Sequence, residues 1–178
     1  TISSVIDSVK AEVENPILLN CGNTSMHIRN VRFFGKGSET GISLEGGNPY
    51  NTIIERCLFQ NLGIAILIGD SIPIIRRCVF KSTISTENTP VGIYIENNSE
   101  SSNPSNSLGD NNDPNTGWNT FNLEGGKAIV SERKDEIKAH KNDWGTEDTG
   151  EISNQIQGNI DTQFYLGKGK AMIASSLA

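Results

Sequence analysis

Ile68-Gly69-Asp70-Ser71-Ile72-Pro73-Ile74-Ile75-Arg76-Arg77-Cys78-Val79-Phe80 ends on a phrase that the chain writes five times: a small or apolar residue, one spacer, then a large aromatic. The copies are Val31-Arg32-Phe33, Cys57-Leu58-Phe59, Cys78-Val79-Phe80, Asn119-Thr120-Phe121 and Asn142-Asp143-Trp144. Side chains alternate along a strand, so the outer residues of each phrase share one face. The phrase returns at roughly 20–26 residues, with one long interruption between Phe80 and Phe121, as stacked coils would.

Each phrase brings companions. Three positions before the small residue stands an apolar one: Ile28, Ile54 and Ile75, with Ala139 as a smaller version. Upstream lies a second strand, Ile17-Leu18-Leu19, Ile42-Ser43-Leu44, Ile64-Ala65-Ile66 and Ala128-Ile129-Val130, with Ile93-Tyr94-Ile95 as a further copy. Aligned, the columns read Ile17/Ile42/Ile64/Ile93, Val31/Cys57/Cys78/Asn119/Asn142 and Phe33/Phe59/Phe80/Phe121/Trp144. One coil cannot bury its apolar face, but coils stacked at about 4.8 Å form a continuous core. Ile2, Val5, Ile6, Val9 and Val13 also fit a helical period, yet Ile2 and Val5 align with Ile28 and Val31, which favours strand.

This pattern resembles the parallel β-helix repeats of the pectin-lyase-like superfamily, most closely over residues 68–80. The run Asp113-Pro114-Asn115-Thr116-Gly117-Trp118-Asn119-Thr120-Phe121, followed by Lys141-Asn142-Asp143-Trp144-Gly145-Thr146, resembles the last coils of a bacterial and archaeal branch of such proteins. The resemblance implies an all-β chain, a right-handed parallel β-helix of about six coils with a C-terminal cap. The expected division is 1–146 for the β-helix, interrupted by the polar insertion 97–117, and 147–178 for the cap. In the cap, Asp148-Thr149-Gly150-Glu151 is placed to start a short helix, and Ala171-Met172-Ile173-Ala174 to form a last strand. The superfamily hosts lyases, hydrolases, epimerases, adhesins and passive surface proteins, so the resemblance leaves the activity open.

Composition narrows the classes. Net charge is -6, from 15 Lys+Arg against 21 Asp+Glu, which argues against general nucleic-acid binding. No apolar run approaches the ~20 residues of a membrane helix. The chain lacks an initial Met, which suits a processed chain or the C-terminal part of a longer one. Cys57 and Cys78 share a column of adjacent coils; parallel side chains oppose disulfide geometry, so both are expected as buried thiols. Cys21 has no evident partner.

Three groups of residues offer chemistry. Glu45 and Glu96 fall in one outward column two coils apart, about 10 Å, slightly beyond the spacing of an inverting glycosidase pair. Asp70 lies between them, and Tyr94 offers an aromatic platform. Glu45, Glu96 and Asp70 are thus the catalytic candidates, although the clustered carboxylates of pectate lyases and polygalacturonases have no counterpart here. Second, Arg29, Glu55 and Arg76 share one column, and Asn30, Arg56, Arg77 and Lys141 the next. Such a row could grip an anionic polymer through Arg56, Arg77, Arg76 and Lys141, with Tyr94 as a further contact; the plain alternative is a solvated corner. Third, Asp110, Asn112 and Asp113 offer hard oxygens, so calcium is the one cofactor with candidate ligands, though Asn-Asp-Gly-Pro clusters are first of all turn formers.

The expected function is a non-catalytic β-helix, at the cell surface, secreted or periplasmic, presenting a flat face to polysaccharide or another cell-surface polymer. A polysaccharide lyase or glycoside hydrolase is the alternative, and a structural spacer or adhesin segment the third reading.

Overall fold

The computed structural model describes residues 3–7, 10–12, 17–19, 25–44, 52–69, 72–83, 89–97, 107–167 and 172–174. Glu45, Asp70 and Cys21 lie outside the described residues. Among the described residues four parallel sheets form; three build most of the stack, and the fourth holds Ser107–Gly109, Ile137–Ala139 and Ile160–Asp161. One holds, in spatial order, Ile156–Gln157, Lys127–Ser131, Val91–Ile95, Ile64–Ile68, Thr40–Leu44 and Ile17–Leu19. A second holds Thr120–Leu123, Val79–Ser82, Leu58–Gln60, Arg32–Phe34 and Lys10–Glu12. A third holds Ser3–Asp7, Ser25–Arg29, Ile53–Glu55 and Ile74–Arg76. From Ser25 to Ile95 the chain visits the third, second and first sheets in turn, each time returning one strand further along; from Ser107 the fourth sheet takes the place of the third. The result is an all-β stack of parallel strands, consistent with a β-helix-like solenoid.

Like stacks on like inside it. Phe33, Phe59, Phe80 and Phe121 are strand partners in register. Their rings, with Trp144, stack at centroid spacings of 4.8, 5.1, 4.8 and 5.2 Å, nearly parallel at 2–19°. Isolated aromatic pairs favour offset or edge contacts; here the hydrogen-bonding distance between strands imposes the face-to-face spacing. Ile28, Ile54 and Ile75 form a second buried column.

Register corrects two alignments. Ile42 stands beside Ile66, not Ile64, and the column runs Ile17, Ile42, Ile66, Ile93, Ile129, Ile156. At the N-terminus Ile6, not Ile2, partners Ile28, and Val5 partners His27. A two-residue slip keeps every side chain on its face, so alternation alone does not choose between Ile64 and Ile66.

The corner that leads from the third or fourth sheet towards the second is built the same way in five coils. Asn30, Arg56, Arg77, Trp118 and Lys141 all adopt left-handed backbone, at φ 56°, 53°, 55°, 65° and 56°. A non-glycine residue there is uncommon, and five in one column mark a bend that the stacking demands. The following residue is buried in all five, and in four of them (Cys57, Cys78, Asn119 and Asn142, but not Val31) its side chain bonds backbone groups at the bend. Asn119 accepts from the Cys78 N–H at 3.0 Å and donates to the Ile75 carbonyl at 3.1 Å. Asn142 accepts from the Asn119 N–H at 3.0 Å and donates to Leu108 and Ala139 carbonyls at 3.1 and 2.9 Å. Cys57 and Cys78, both free and buried, turn their thiols to the Ile28 and Ile54 carbonyls at 3.7 and 3.6 Å.

The segment expected as a polar insertion, 97–117, is not loop throughout. Ser107–Gly109 pairs with Ile137–Ala139, Leu108 is buried, and Gly117 bridges to Arg76. A lone apolar residue, Leu108, gave no periodicity to read. Strand pairing also continues beyond residue 146: Ile156–Gln157 joins Lys127–Ser131, and Ile160–Asp161 joins Ile137–Ala139. Before them comes the helix Thr149–Asn154, whose N-cap Asp148 accepts from the Glu151 N–H at 2.9 Å and which buries Ile152. Met172–Ala174 is a strand, antiparallel to Phe164–Leu166. No helix among the described residues is long and apolar enough to cross a membrane.

Candidate functional site: a basic corner with an exposed indole

Two neighbouring rows run along the outside of the stack. The first lies on the third sheet, where Asp7, Arg29, Glu55 and Arg76 are cross-strand partners. Alternating charge lets this row satisfy itself. Arg29 Nε donates to Asp7 at 2.9 Å. Arg76 donates to Glu55 Oε2 at 2.8 Å, and His27 Nε2 meets Glu55 Oε1 at 2.9 Å. Burial raises the Glu55 carboxyl, but hydrogen bonds and charge from Arg76 and His27 outweigh it and leave it below the usual range. Arg76, expected to hold ligand, is thus engaged by Glu55 and by the Asn115 carbonyl at 3.2 Å.

The second row is the left-handed corner. Positive φ swings these side chains off the sheet plane, away from the strand row. Arg56 and Arg77 are exposed, and among the described residues neither guanidinium has a side-chain partner. Trp118, next in the row, is 37% exposed, one of few large apolar side chains so placed. These groups meet in a cleft of about 220 Å³, lined by Arg56, Arg76, Arg77, Pro114, Asn115, Trp118 and the Glu55 carboxylate that Arg76 and His27 already hold. Lys141, last in the row, is buried, and its Nζ donates to the Asp113 carbonyl. Burial lowers its ammonium below the usual range, against the pull of Asp113 and Asp110. Lys141 therefore stands under the 110–116 loop and does not reach the cleft.

Trp118 was legible in principle. It precedes Asn119 as Arg77 precedes Cys78, a signal that could have added it to the row read from Asn30, Arg56, Arg77 and Lys141. Pro114 and Asn115 carried no such signal, because the loop that brings them here has no repeat.

The carboxylate candidates are arranged differently. Leu67 pairs with Tyr94 and Ser131 with Ile95, so neither shares a column with Glu96. Glu96 lies just past its strand, and Glu132 holds the equivalent place in the next coil. The Tyr94 hydroxyl donates to Glu132. That bond, with burial and the charges of Glu132 and Glu96, raises the phenol above its usual range. Tyr94 therefore sits on the first sheet, away from Arg56 and Arg77.

The loop oxygens proposed for calcium serve the loop itself. Asp110 accepts from the Asn112 N–H at 2.9 Å and from Lys138 Nζ at 2.9 Å; the backbone bond and the lysine hold its carboxyl below the usual range. Asp113 accepts from the Asn115 N–H at 2.8 Å. Among the described residues no group of three or more His, Cys, Asp or Glu gathers to hold a metal ion.

A larger cleft of about 530 Å³ lies at the far end, between Leu123–Lys127 and the helix Thr149–Asn154. Its lining includes Phe121 and Trp144 of the aromatic column but none of the catalytic, ligand-binding or metal candidates. No family model, curated protein or solved structure matches this chain.

Proposed function

We propose that the chain is a right-handed parallel β-helix of about six coils with a C-terminal cap, in the manner of the pectin-lyase-like superfamily. Parallel crossover connections are right-handed in about 98% of cases, which supports that hand. Its function on this reading is non-catalytic: outside the cytoplasm it holds an anionic polysaccharide, or another cell-surface polymer with acidic groups. One observation carries the reading. Among the described residues Arg56 and Arg77 are cations without a side-chain partner, one coil apart, and Trp118 stands beside them in the same cleft. Guanidinium groups suit carboxylate and sulfate geometry, and an indole face suits the apolar face of a pyranose ring.

Affinity electrophoresis through gels containing acidic and neutral polysaccharides tests it. Retardation by an acidic polymer is expected, weakened by salt, and lost in Arg56→Ala/Arg77→Ala. Equal retardation of that variant would overturn the assignment.

A further inference from the structure

Resting on that reading, we infer that the cleft takes the end of an anionic polysaccharide chain rather than its interior. The corner row would be an open track if every coil presented its residue equally. It does not. Trp118 and Lys141 share the backbone geometry of Arg56 and Arg77, at φ 65° and 56°, but the segment from Asp110 to Gly117 leaves the stack just there. It folds over Lys141, whose Nζ it captures through the Asp113 carbonyl. Its other flank reaches Arg76, which donates to the Asn115 carbonyl at 3.2 Å.

The loop is tied down at more points. Lys138 holds Asp110 at 2.9 Å, His140 Nδ1 accepts from the Asn111 N–H at 3.2 Å, and Thr116 Oγ1 accepts from the Asp110 N–H at 2.8 Å. A wall so anchored does not give way to a passing polymer. Pro114, Asn115 and Trp118 therefore close one end of the cleft.

Among the described residues, nothing covers the row towards the N-terminal coils. Beyond Arg77 come Arg56 and then Asn30, both exposed, with Asn30 Nδ2 donating to Asp7 at 2.9 Å. Trp118 to Asn30 is three coil steps, about 14 Å, room for a few sugar units. Asp7, in the neighbouring row, is held by Arg29 and Asn30. Among the described residues the track thus has a wall at one end only. The terminal ring would stack on Trp118, and its acidic groups would face Arg77 and Arg56.

Alginate and dextran sulfate, each intact and after partial acid hydrolysis, test the inference by titration calorimetry. End recognition predicts that shortening the mean chain tenfold raises protein bound per gram about tenfold at unchanged Kd. Oligomers of three or four units should then compete within about twofold of the longest. Capacity that follows mass, with affinity climbing as oligomers lengthen, would overturn end recognition while leaving polymer binding intact. Binding that survives Arg56→Ala/Arg77→Ala, or none to either polymer in any form, would remove the binding reading and the inference with it. Trp118→Gly suits the left-handed backbone and removes the indole from the wall. It should weaken binding severalfold and abolish the dependence on chain ends; retention of that dependence would also overturn the inference.

Discussion

Arg76 and Arg77 are adjacent, alike in type, and opposite in circumstance. Arg76 ends a strand, so its side chain lies in a sheet row and finds Glu55 across one coil at 2.8 Å. Arg77 takes the left-handed bend, leaves that row and finds no side-chain partner among the described residues. The comparison extends along the stack. Asp7, Arg29, Glu55 and Arg76 neutralise one another, while Arg56 and Arg77 face solvent beside an exposed indole. Backbone conformation, not residue type, decides which cations are available to a ligand.

That contrast depends on coil register, and the largest expected effect tests register itself. Phe59→Asp places a charge between Phe33 and Phe80 and should abolish cooperative folding in a urea melt. Normal melting would mean that the rows are misassigned. Asn119→Leu comes next. It keeps roughly the volume but strands the Cys78 N–H and the Ile75 carbonyl. Each unsatisfied buried group costs about 1–3 kcal/mol, so a loss of about 2–5 kcal/mol in urea is expected.

The two rows are then separated directly. Glu55→Gln leaves His27 and Arg76 without their carboxylate and should cost about 1–3 kcal/mol at pH 7. Arg77→Ala should stay within about 0.5 kcal/mol, as an exposed change without partners does. Equal costs would erase the distinction. Acidity sharpens it. The folded Glu55 carboxyl sits below its ordinary value of 4.5, so its contribution is complete above that pH and is lost as pH falls through the folded value. Wild type should therefore lose stability below about pH 4.5 more steeply than Glu55→Gln. Matching acid profiles would show that Glu55 is not the linked group.

The smallest effect concerns the bend. Arg77→Gly, unlike Arg77→Ala, suits a φ of 55° without steric cost. It should be more stable than Arg77→Ala by up to about 1 kcal/mol while losing the same binding. A glycine variant less stable than the alanine variant would mean that the corner is not held in the left-handed region.

The columns of Phe and Ile were legible because identical residues recur at coil spacing, and burial of a repeated apolar face is a property of pattern. The corner row was legible for the same reason, through Asn30, Arg56, Arg77 and Lys141. What each member does was not. Lys141 and Arg56 read alike, yet one is buried under a loop and the other is exposed. Glu132, which holds the place of Glu96 in the next coil, was not legible as its neighbour, because both lie just past their strands where alternation ends.

The order of residues by itself determined the stacked parallel architecture, the aromatic spine, the asparagine and thiol ladder, and the corner on which basic residues gather. Each is a local choice repeated until neighbours agree, so short-range pattern suffices. Only the tertiary structure decided the exact register, the capture of Arg76 by Glu55, and the return of the 110–117 loop that buries Lys141 and closes the cleft. Those depend on contacts between residues twenty or more positions apart, which no periodicity encodes.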